Sequence, residues 1–202
     1  MATKYERWET LGGSDYFGIY ENYWEAQSFT PSITHILTSI KLLGYVYGGY
    51  TVGEITVSIR AVDGSNLPTG DDLSVGTYNG NTIGGTDEWF EIPMSPISLF
   101  AGTEYAIVIR VVGPDDLKLR YNIGYASGQE SYSTDSGANW GHTGAGNRDI
   151  HFQEWGNPTS NYLWIEGTNL RYFDEDGSKK AAGDPMCYED TVVSHEDKVV
   201  YS

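Results

Sequence analysis

The chain has 202 residues, 39% hydrophobic and 14% aromatic, enough for one large buried core or one domain with a small appendage. Its 28 Asp and Glu against 12 Lys and Arg leave a net charge of −16. Such a chain is repelled by nucleic-acid phosphate and by anionic lipid, which excludes nucleic-acid binding by the body of the protein. Twenty-five Gly and 16 Tyr, with few helix-forming stretches, point to an all-β protein rich in turns.

No run of 18 apolar residues occurs, so no membrane-inserting helix is expected. Met1 to Trp8 lacks the apolar core of a secretory signal. The single cysteine, Cys187, rules out an intrachain disulfide. It follows Pro185-Met186 with no adjacent His, and reads as a spare thiol rather than a nucleophile.

In chain order, residues 1–25 interleave Tyr16, Phe17, Tyr20, Tyr23 and Trp24 with Glu and Gly, as an N-terminal strand or arm packed on the body. Ala26–Phe29 is a short strand closed by Thr30-Pro31. His35–Tyr47 is a longer one, with Ile36, Thr38, Ile40 and Leu42 on one face and Leu37, Ser39, Lys41 and Leu43 on the other. The clearest strand is Glu54–Val62, where Ile55, Val57, Ile59 and Ala61 alternate with polar residues, the mark of a half-buried antiparallel strand. Asp63-Gly64-Ser65-Asn66 is a turn, Leu67–Asp72 a second loop and Leu73–Tyr78 a short strand. Glu88–Ile92 opposes Trp89 and Glu91 to Phe90 and Ile92, and Trp89 is expected to pack in the core. Glu104–Val112 is apolar on both faces, as in a central strand covered on both sides. Leu117–Tyr121 and Arg148–Trp155 alternate again; His151 falls on the polar face of the latter.

Eight to ten strands at this turn spacing, with no βαβ alternation, indicate a sandwich or barrel. After Gly156-Asn157-Pro158 the pattern changes, and Tyr162–Glu166, Leu170–Phe173 and Val192-Val193 suggest a small β appendage with turns at Gly167–Asn169 and Asp174–Ser178. The expected division is 1–156 and 157–202, with net charges of −11 and −5.

Few motifs carry chemistry. Gly141–Gly146 is glycine-rich but precedes no helix N-terminus, so it reads as a loop, not a phosphate cradle. His35, His142, His151 and His195 are dispersed, with no pair at metal-ligand spacing. Two catalytic acids cannot be picked from 28 carboxylates. Asp174, Asp176 and Gly177 start like a calcium loop, but Pro185 stands where the closing Glu belongs. Asp63, Asp71 and Asp72 could bridge a calcium ion, but nothing in their spacing demands it. No cofactor is expected.

Ser133-Thr134-Asp135-Ser136-Gly137-Ala138-Asn139-Trp140 resembles the Asp-box of sialidases and many secreted β proteins, with Asn139 in place of the usual Thr. That resemblance implies a structural hairpin turn in which Ser133, Asp135 and Gly137 shape the loop and Trp140 packs beneath it. The series Trp24–Pro31, Leu37–Leu42, Thr56–Ala61, Leu67–Gly70, Glu88–Ile92, Ala101–Arg110 and Ser131–Trp140 resembles the choice-of-anchor (type R) jelly-roll modules of surface and phage-like proteins. The resemblance spans about residues 5–155 and implies an antiparallel jelly-roll-type β-sandwich; it brings no catalytic residues.

An extracellular-type sandwich without visible signal, anchor or disulfide leads to the expectation of a non-catalytic virion structural protein: a capsid decoration, head-fibre or tail-associated subunit. Its expected partners are other virion or surface proteins, in a homo-oligomer or lattice. The alternative is an extracellular module that binds carbohydrate or a cell surface through exposed aromatics. A jelly-roll glycoside hydrolase or lyase is the third reading, since fold does not confer function.

Overall fold

The computed structural model describes residues 2–10, 15–143 and 148–159, and the backbone of 163–166, 169–173, 179–181, 193–195 and 198–200. The chain forms two compact units, Met1–Asn157 and Pro158–Ser202, divided one residue beyond the expected boundary. Cys187 and the Asp174–Ser178 turn lie outside the described residues, as does half of the Gly141–Gly146 loop.

The first unit is an all-β antiparallel sandwich of two sheets. Its strands are β1 (Thr3–Trp8), β2 (Asp15–Ile19), β3 (Trp24–Phe29), β4 (His35–Val46), β5 (Glu54–Val62), β6 (Pro68–Asn79), β7 (Glu88–Leu99), β8 (Tyr105–Val111), β9 (Leu117–Ile123), β10 (Glu130–Ser133), β11 (Arg148–Ile150) and β12 (Phe152–Pro158). The larger sheet runs β1-β12-β4-β9-β11, with β7 on β4 and β2 on β9; the smaller runs β10-β3-β8-β5-β6. Twelve strands exceed the eight to ten expected, because the N-terminal arm supplies two and the last stretch is broken into two.

Counting inward from the ends of the β3–β10 series, β3 pairs with β10, β4 with β9 and β5 with β8, all antiparallel. The remaining pair, β6 and β7, lies side by side, and the Ser74 hydroxyl donates to the Ser95 carbonyl at 2.5 Å. First-with-last pairing of eight strands is the jelly-roll arrangement.

Alternation builds the core. Ile55, Val57 and Ile59 of β5 face Ile107 and Ile109 of β8, and these meet Ile40, Leu42, Phe90 and Ile92 of the opposite sheet. β8 is central, and its second face is also covered: Ala106 and Val108 pack with Ala26 against Trp24 and Trp140.

Four expectations are corrected. The register shift between Leu37 and Ser39 changes the parity of β4, so Leu37 joins Ile40 and Leu42 inside while Ile36 does not. The expected loop Leu67–Asp72 is mostly strand: β6 starts at Pro68, and Gly70–Leu73 are extra residues accommodated at an irregularity opposite Ile59–Ala61. Trp89 is 37% exposed, because its neighbours Phe90 and Ile92 occupy the inward positions. His151 is fully buried rather than on a solvent-facing polar edge. It lies between β11 and β12, where the chain leaves β9 for β4. Its N–H donates to the Arg120 carbonyl and its carbonyl accepts from the Leu43 N–H. Neither ring nitrogen has a partner, and burial, then the nearby Arg120 charge, holds the imidazole below its ordinary pKa.

The N-terminal strand is fastened by a buried pair. His35 Nε2 lies 2.7 Å from Glu154 Oε1 and Nδ1 lies 2.7 Å from the Ile33 carbonyl, while the ring stacks on Tyr5 at 3.8 Å. Burial is outweighed by the bonds to Glu154 and Ile33, which raise the imidazole above its ordinary pKa.

The second unit is a five-stranded antiparallel sheet of order β15-β14-β13-β17-β16. Its strands are β13 (Leu163–Glu166), β14 (Asn169–Phe173), β15 (Lys179–Ala181), β16 (Val193–His195) and β17 (Lys198–Val200).

Candidate functional site

The Asp-box-like segment follows β10. Ser133 Oγ donates to Asp135 Oδ1 at 2.8 Å and accepts from the Gly137 N–H at 2.8 Å. Asp135 also accepts from the Asn139 N–H at 2.8 Å and from Asn139 Nδ2 at 2.6 Å. Asn139 therefore supplies a side-chain bond of its own where the motif usually has Thr. These bonds, the Asn139 side chain foremost, hold the Asp135 carboxyl below its usual range. Gly137 has φ +81°, and a Cβ there would lie 2.6 Å from Trp24 Cζ3, so glycine is required for both conformation and space. Tyr132 and Gly141 close the hairpin with two backbone bonds, which brings Trp140 onto the outer face of the smaller sheet. The side-chain oxygens of Ser133 and Asp135 are spent on the turn itself, while Ser136 ties it to Asn22 at 3.0 Å.

Two of the three candidate calcium ligands, Asp63 and Asp72, are otherwise engaged. Asp63 Oδ1 caps its own turn, accepting from the Ser65 and Leu67 N–H groups at 2.8 and 3.1 Å. Asp72 bridges Arg60 and Arg110, 2.7 Å from each, beside Trp24. Burial works against the Asp72 carboxylate, but the Arg110 and Arg60 bonds prevail and lower its pKa to about 2. Among the described residues no group of three His, Cys, Asp or Glu could hold a metal ion.

A candidate surface lies instead on the outer face of the larger sheet. The end of β4 reads Gly44-Tyr45-Val46-Tyr47, so Val46 enters the core while Tyr45 points outward and Tyr47 leaves the strand. Gly48-Gly49 turns the chain, with Gly49 at φ +90°, and the Tyr50 N–H donates to the Tyr47 carbonyl at 3.0 Å. On the far side of β9, Tyr16 of β2 pairs in register with Arg120.

Four tyrosines thus form an edge-to-face series. Tyr16 and Tyr45 meet at 4.9 Å and 90°, Tyr45 and Tyr47 at 5.1 Å and 87°, Tyr47 and Tyr50 at 5.7 Å and 67°. Each ring offers its positive edge to the negative face of the next, which fixes their orientations. The last two remain open to solvent, Tyr47 at 49% and Tyr50 at 45% exposure.

The hydroxyls are held as well. Tyr16 donates to Asp87 Oδ2 at 3.1 Å, and the Arg120 guanidinium donates to the same oxygen. Hydrogen bonding with Tyr47, followed by burial, pushes Tyr45 up to about 12, so its phenol stays protonated across the physiological range. The basic side chains on this face have acidic partners: Lys118 with Asp116 at 2.8 Å, Lys41 with Glu91 at 3.0 Å and Lys4 with Glu9 at 2.8 Å. The face is therefore aromatic and hydroxylated, and these three lysines are each neutralised by an acid.

No family model matches this chain, and no curated protein matches it.

Sequence reasoning placed Tyr16 in an aromatic arm but passed over Tyr45, Tyr47 and Tyr50. The available signal was a Tyr-x-Tyr alternation running into Gly-Gly-Tyr, which sends two rings to one side of a strand and a third back over it.

Proposed function

We propose that this chain is a non-catalytic structural subunit displayed on a particle surface, with a virion as its setting, and that its sandwich binds carbohydrate there. One observation carries the binding part: four tyrosine rings fixed edge to face, two of them half exposed, on a sheet face whose lysines are paired with acids. Rigid tyrosines provide contact area at low entropic cost and a polar tip for hydrogen bonding. The apolar face of a pyranose fits such rings, and the flanking carboxylates and phenols suit its hydroxyls. Lysines already paired with acids, in a chain of net charge −16, favour a neutral glycan over a polyanion.

The division into two compact units supports the display part. One unit can engage a ligand while the other attaches to a lattice or fibre. The resemblance of residues 5–155 to surface-display modules is in keeping with that setting.

Two experiments test the two parts separately. The purified chain is screened on a glycan array, and hits are titrated against the Tyr47→Ala/Tyr50→Ala double variant. Loss of about tenfold or more in affinity with an unchanged circular dichroism spectrum is expected. No hits, or equal affinity for the variant, removes the tyrosine face. Immunogold labelling of particles and envelopes separated on a gradient tests the setting, and absence of label from purified particles overturns it.

A further inference from the structure

β10 is an edge strand of the smaller sheet, and its inward face carries acid. Glu130 is opposite Gln27 of β3 and Tyr132 opposite Glu25, so the two glutamates are diagonal neighbours on one face of the pair. Both are buried, Glu25 at 0% and Glu130 at 1% exposure. Their carboxyls are within hydrogen-bonding reach of each other, and the Tyr23 phenol lies beside Glu25.

Each neighbouring element adds a named group. Tyr132 of β10 stacks on Tyr23 at 5.9 Å, and Tyr20 stacks on Tyr23 at 5.5 Å. On β8 the residue paired with Glu25 is the apolar Ile109. On β11, Asp149 has its oxygens engaged by Gln27 Nε2 at 3.2 Å and by the Gly124 and Tyr125 N–H groups at 3.1 and 2.9 Å. Arg148, whose charge reaches Glu25, lies over the Phe17 and Tyr121 rings at 5.8 and 5.3 Å.

The donors decide the protonation state. Two carboxyls present four oxygens. Thr143 donates to Glu130 Oε2 at 2.5 Å. Burial, then Glu25 and Glu130, push Tyr23 up to about 12, so its phenol keeps its proton and offers it to one Glu25 oxygen. The other Glu25 oxygen and Glu130 Oε1 remain. One proton between them makes one a donor and the other an acceptor, and all four oxygens are satisfied. Without it, two carboxylates share a dry interior. Burial, then the Glu130 charge, accordingly hold the Glu25 carboxyl well above its ordinary pKa.

Loss of that proton acts on β10. β3 is held between β8 and β10, whereas β10 has β3 as its one neighbour in the sheet. β10 also anchors the strap that follows it. Tyr132 bonds Gly141, His142 Nδ1 lies 2.9 Å from the Glu130 carbonyl and Nε2 2.9 Å from the Ser65 carbonyl, and Thr143 holds the Glu130 carboxyl. This strap lays Trp140 over Ala26, Ala106 and Val108 on the outer face of the smaller sheet.

We propose that the Glu25–Glu130 pair is a proton-operated latch. With one shared proton it locks β10 and the Ser133–Thr143 strap onto β3; on losing it, it releases both and bares the apolar patch beneath Trp140. The latch is separate from the tyrosine face, and neither depends on the other. Glu25 stabilises the closed form fully below the ordinary carboxyl value of 4.5, and that contribution is lost as pH rises through the folded value. Within this window opening releases one proton, so the opening constant rises about tenfold per pH unit.

The test is hydrogen exchange on the full chain from about pH 5 to 9, read as protection factors so that the intrinsic pH dependence of exchange cancels. Protection over Glu130–Ser133 should fall by up to about tenfold per pH unit in the parent, while β5 and β8 keep theirs. The slope should vanish in Glu25→Gln, whose amide donates to Glu130 without titrating, and in Glu130→Gln, whose amide donates to Glu25. The His35–Glu154 pair acts at β1 and β12, and its own pH dependence should persist there in both variants. Protection of β10 that is flat with pH in the parent, or that falls equally in parent and variants, overturns the latch. A measurement on the parent alone guards against variants that fail to fold. With carbon-13 at the glutamate carboxyls, one resonance should titrate in step with the loss of β10 protection. If every glutamate carboxyl has titrated before protection falls, the latch is wrong.

Discussion

Val57 and Ala61 stand on the same face of β5, since they pair with Ile109 and Tyr105 of β8, yet their burial differs completely. Val57 is fully buried beneath the opposite sheet, whereas Ala61 is exposed at the rim, where the extra residues Gly70–Leu73 carry β6 away. Val57→Asp removes a buried aliphatic side chain worth about 1.5–3 kcal/mol. It also places an unpaired carboxylate in the core at a cost of several kcal/mol more. A total on the order of 5–8 kcal/mol matches or exceeds much of the stability of a domain, about 5–15 kcal/mol. Ala61→Asp should cost about 1 kcal/mol or less, because the charge meets water. Soluble yield, circular dichroism and the urea midpoint separate the two. Val57→Asp should be insoluble or unfolded, and Ala61→Asp should keep a native-like spectrum with a midpoint close to the parent. Equal damage from both would refute the argument that coverage by the facing sheet, not alternation alone, sets the cost.

Three further outcomes follow from the geometry. Gly137→Ala should lower the unfolding midpoint and reduce hydrogen-exchange protection across Ser133–Gly141, because the new Cβ meets Trp24 at a positive-φ position; an unchanged midpoint would show that the turn relaxes freely. Burial lowers the His35 pKa, but the hydrogen bonds to Glu154 and Ile33 and the Glu154 charge outweigh it, so the folded pKa is raised. The stabilisation from His35 is thus full below its ordinary pKa of 6.5 and is lost as pH rises through the folded value; Glu154, raised mainly by burial, acts in the same direction. Midpoints measured from about pH 6 to 9 should fall more steeply in the parent than in His35→Gln, and parallel slopes would count against the pair. Asp72 has the opposite sign: its pKa is lowered to about 2, so its contribution is present above 3.8 and is lost as pH falls toward 2. Asp72→Asn should lose that part of the acid-induced destabilisation, as read from midpoints in low-pH buffers.

Much of the fold is written in period-two alternation. Ile55-x-Val57-x-Ile59 and Leu117-x-Leu119-x-Tyr121 point their apolar residues inward in the structure, and β8, apolar on both faces, is central and covered on both. Alternation fails where strands change parity. The shift between Leu37 and Ser39 depends on a partner, β7, more than fifty residues away, and nothing local to Thr38 announces it. It fails again where polar residues point inward. The same rule that placed Val57 inside sends Glu25, Gln27 and Glu130 to solvent, yet all three are buried. Their company explains why: Gln27 bonds Asp149 and accepts from the Ile150 N–H, so the amide spans the two sheets where no aliphatic residue could satisfy those groups. A hydrogen-bond network assembled from β3, β10 and β11 has no signature in any one strand, because each member alone reads as a solvated position. The tyrosine face was hidden for the converse reason. Tyr45 obeys alternation, and a tyrosine in a strand is ordinary; only the packing of β2 and the Tyr47–Tyr50 turn beside it converts four common residues into one oriented surface. The tyrosine face and the buried polar cluster therefore both arise from tertiary juxtaposition, at positions where local pattern predicts either solvent or nothing of note.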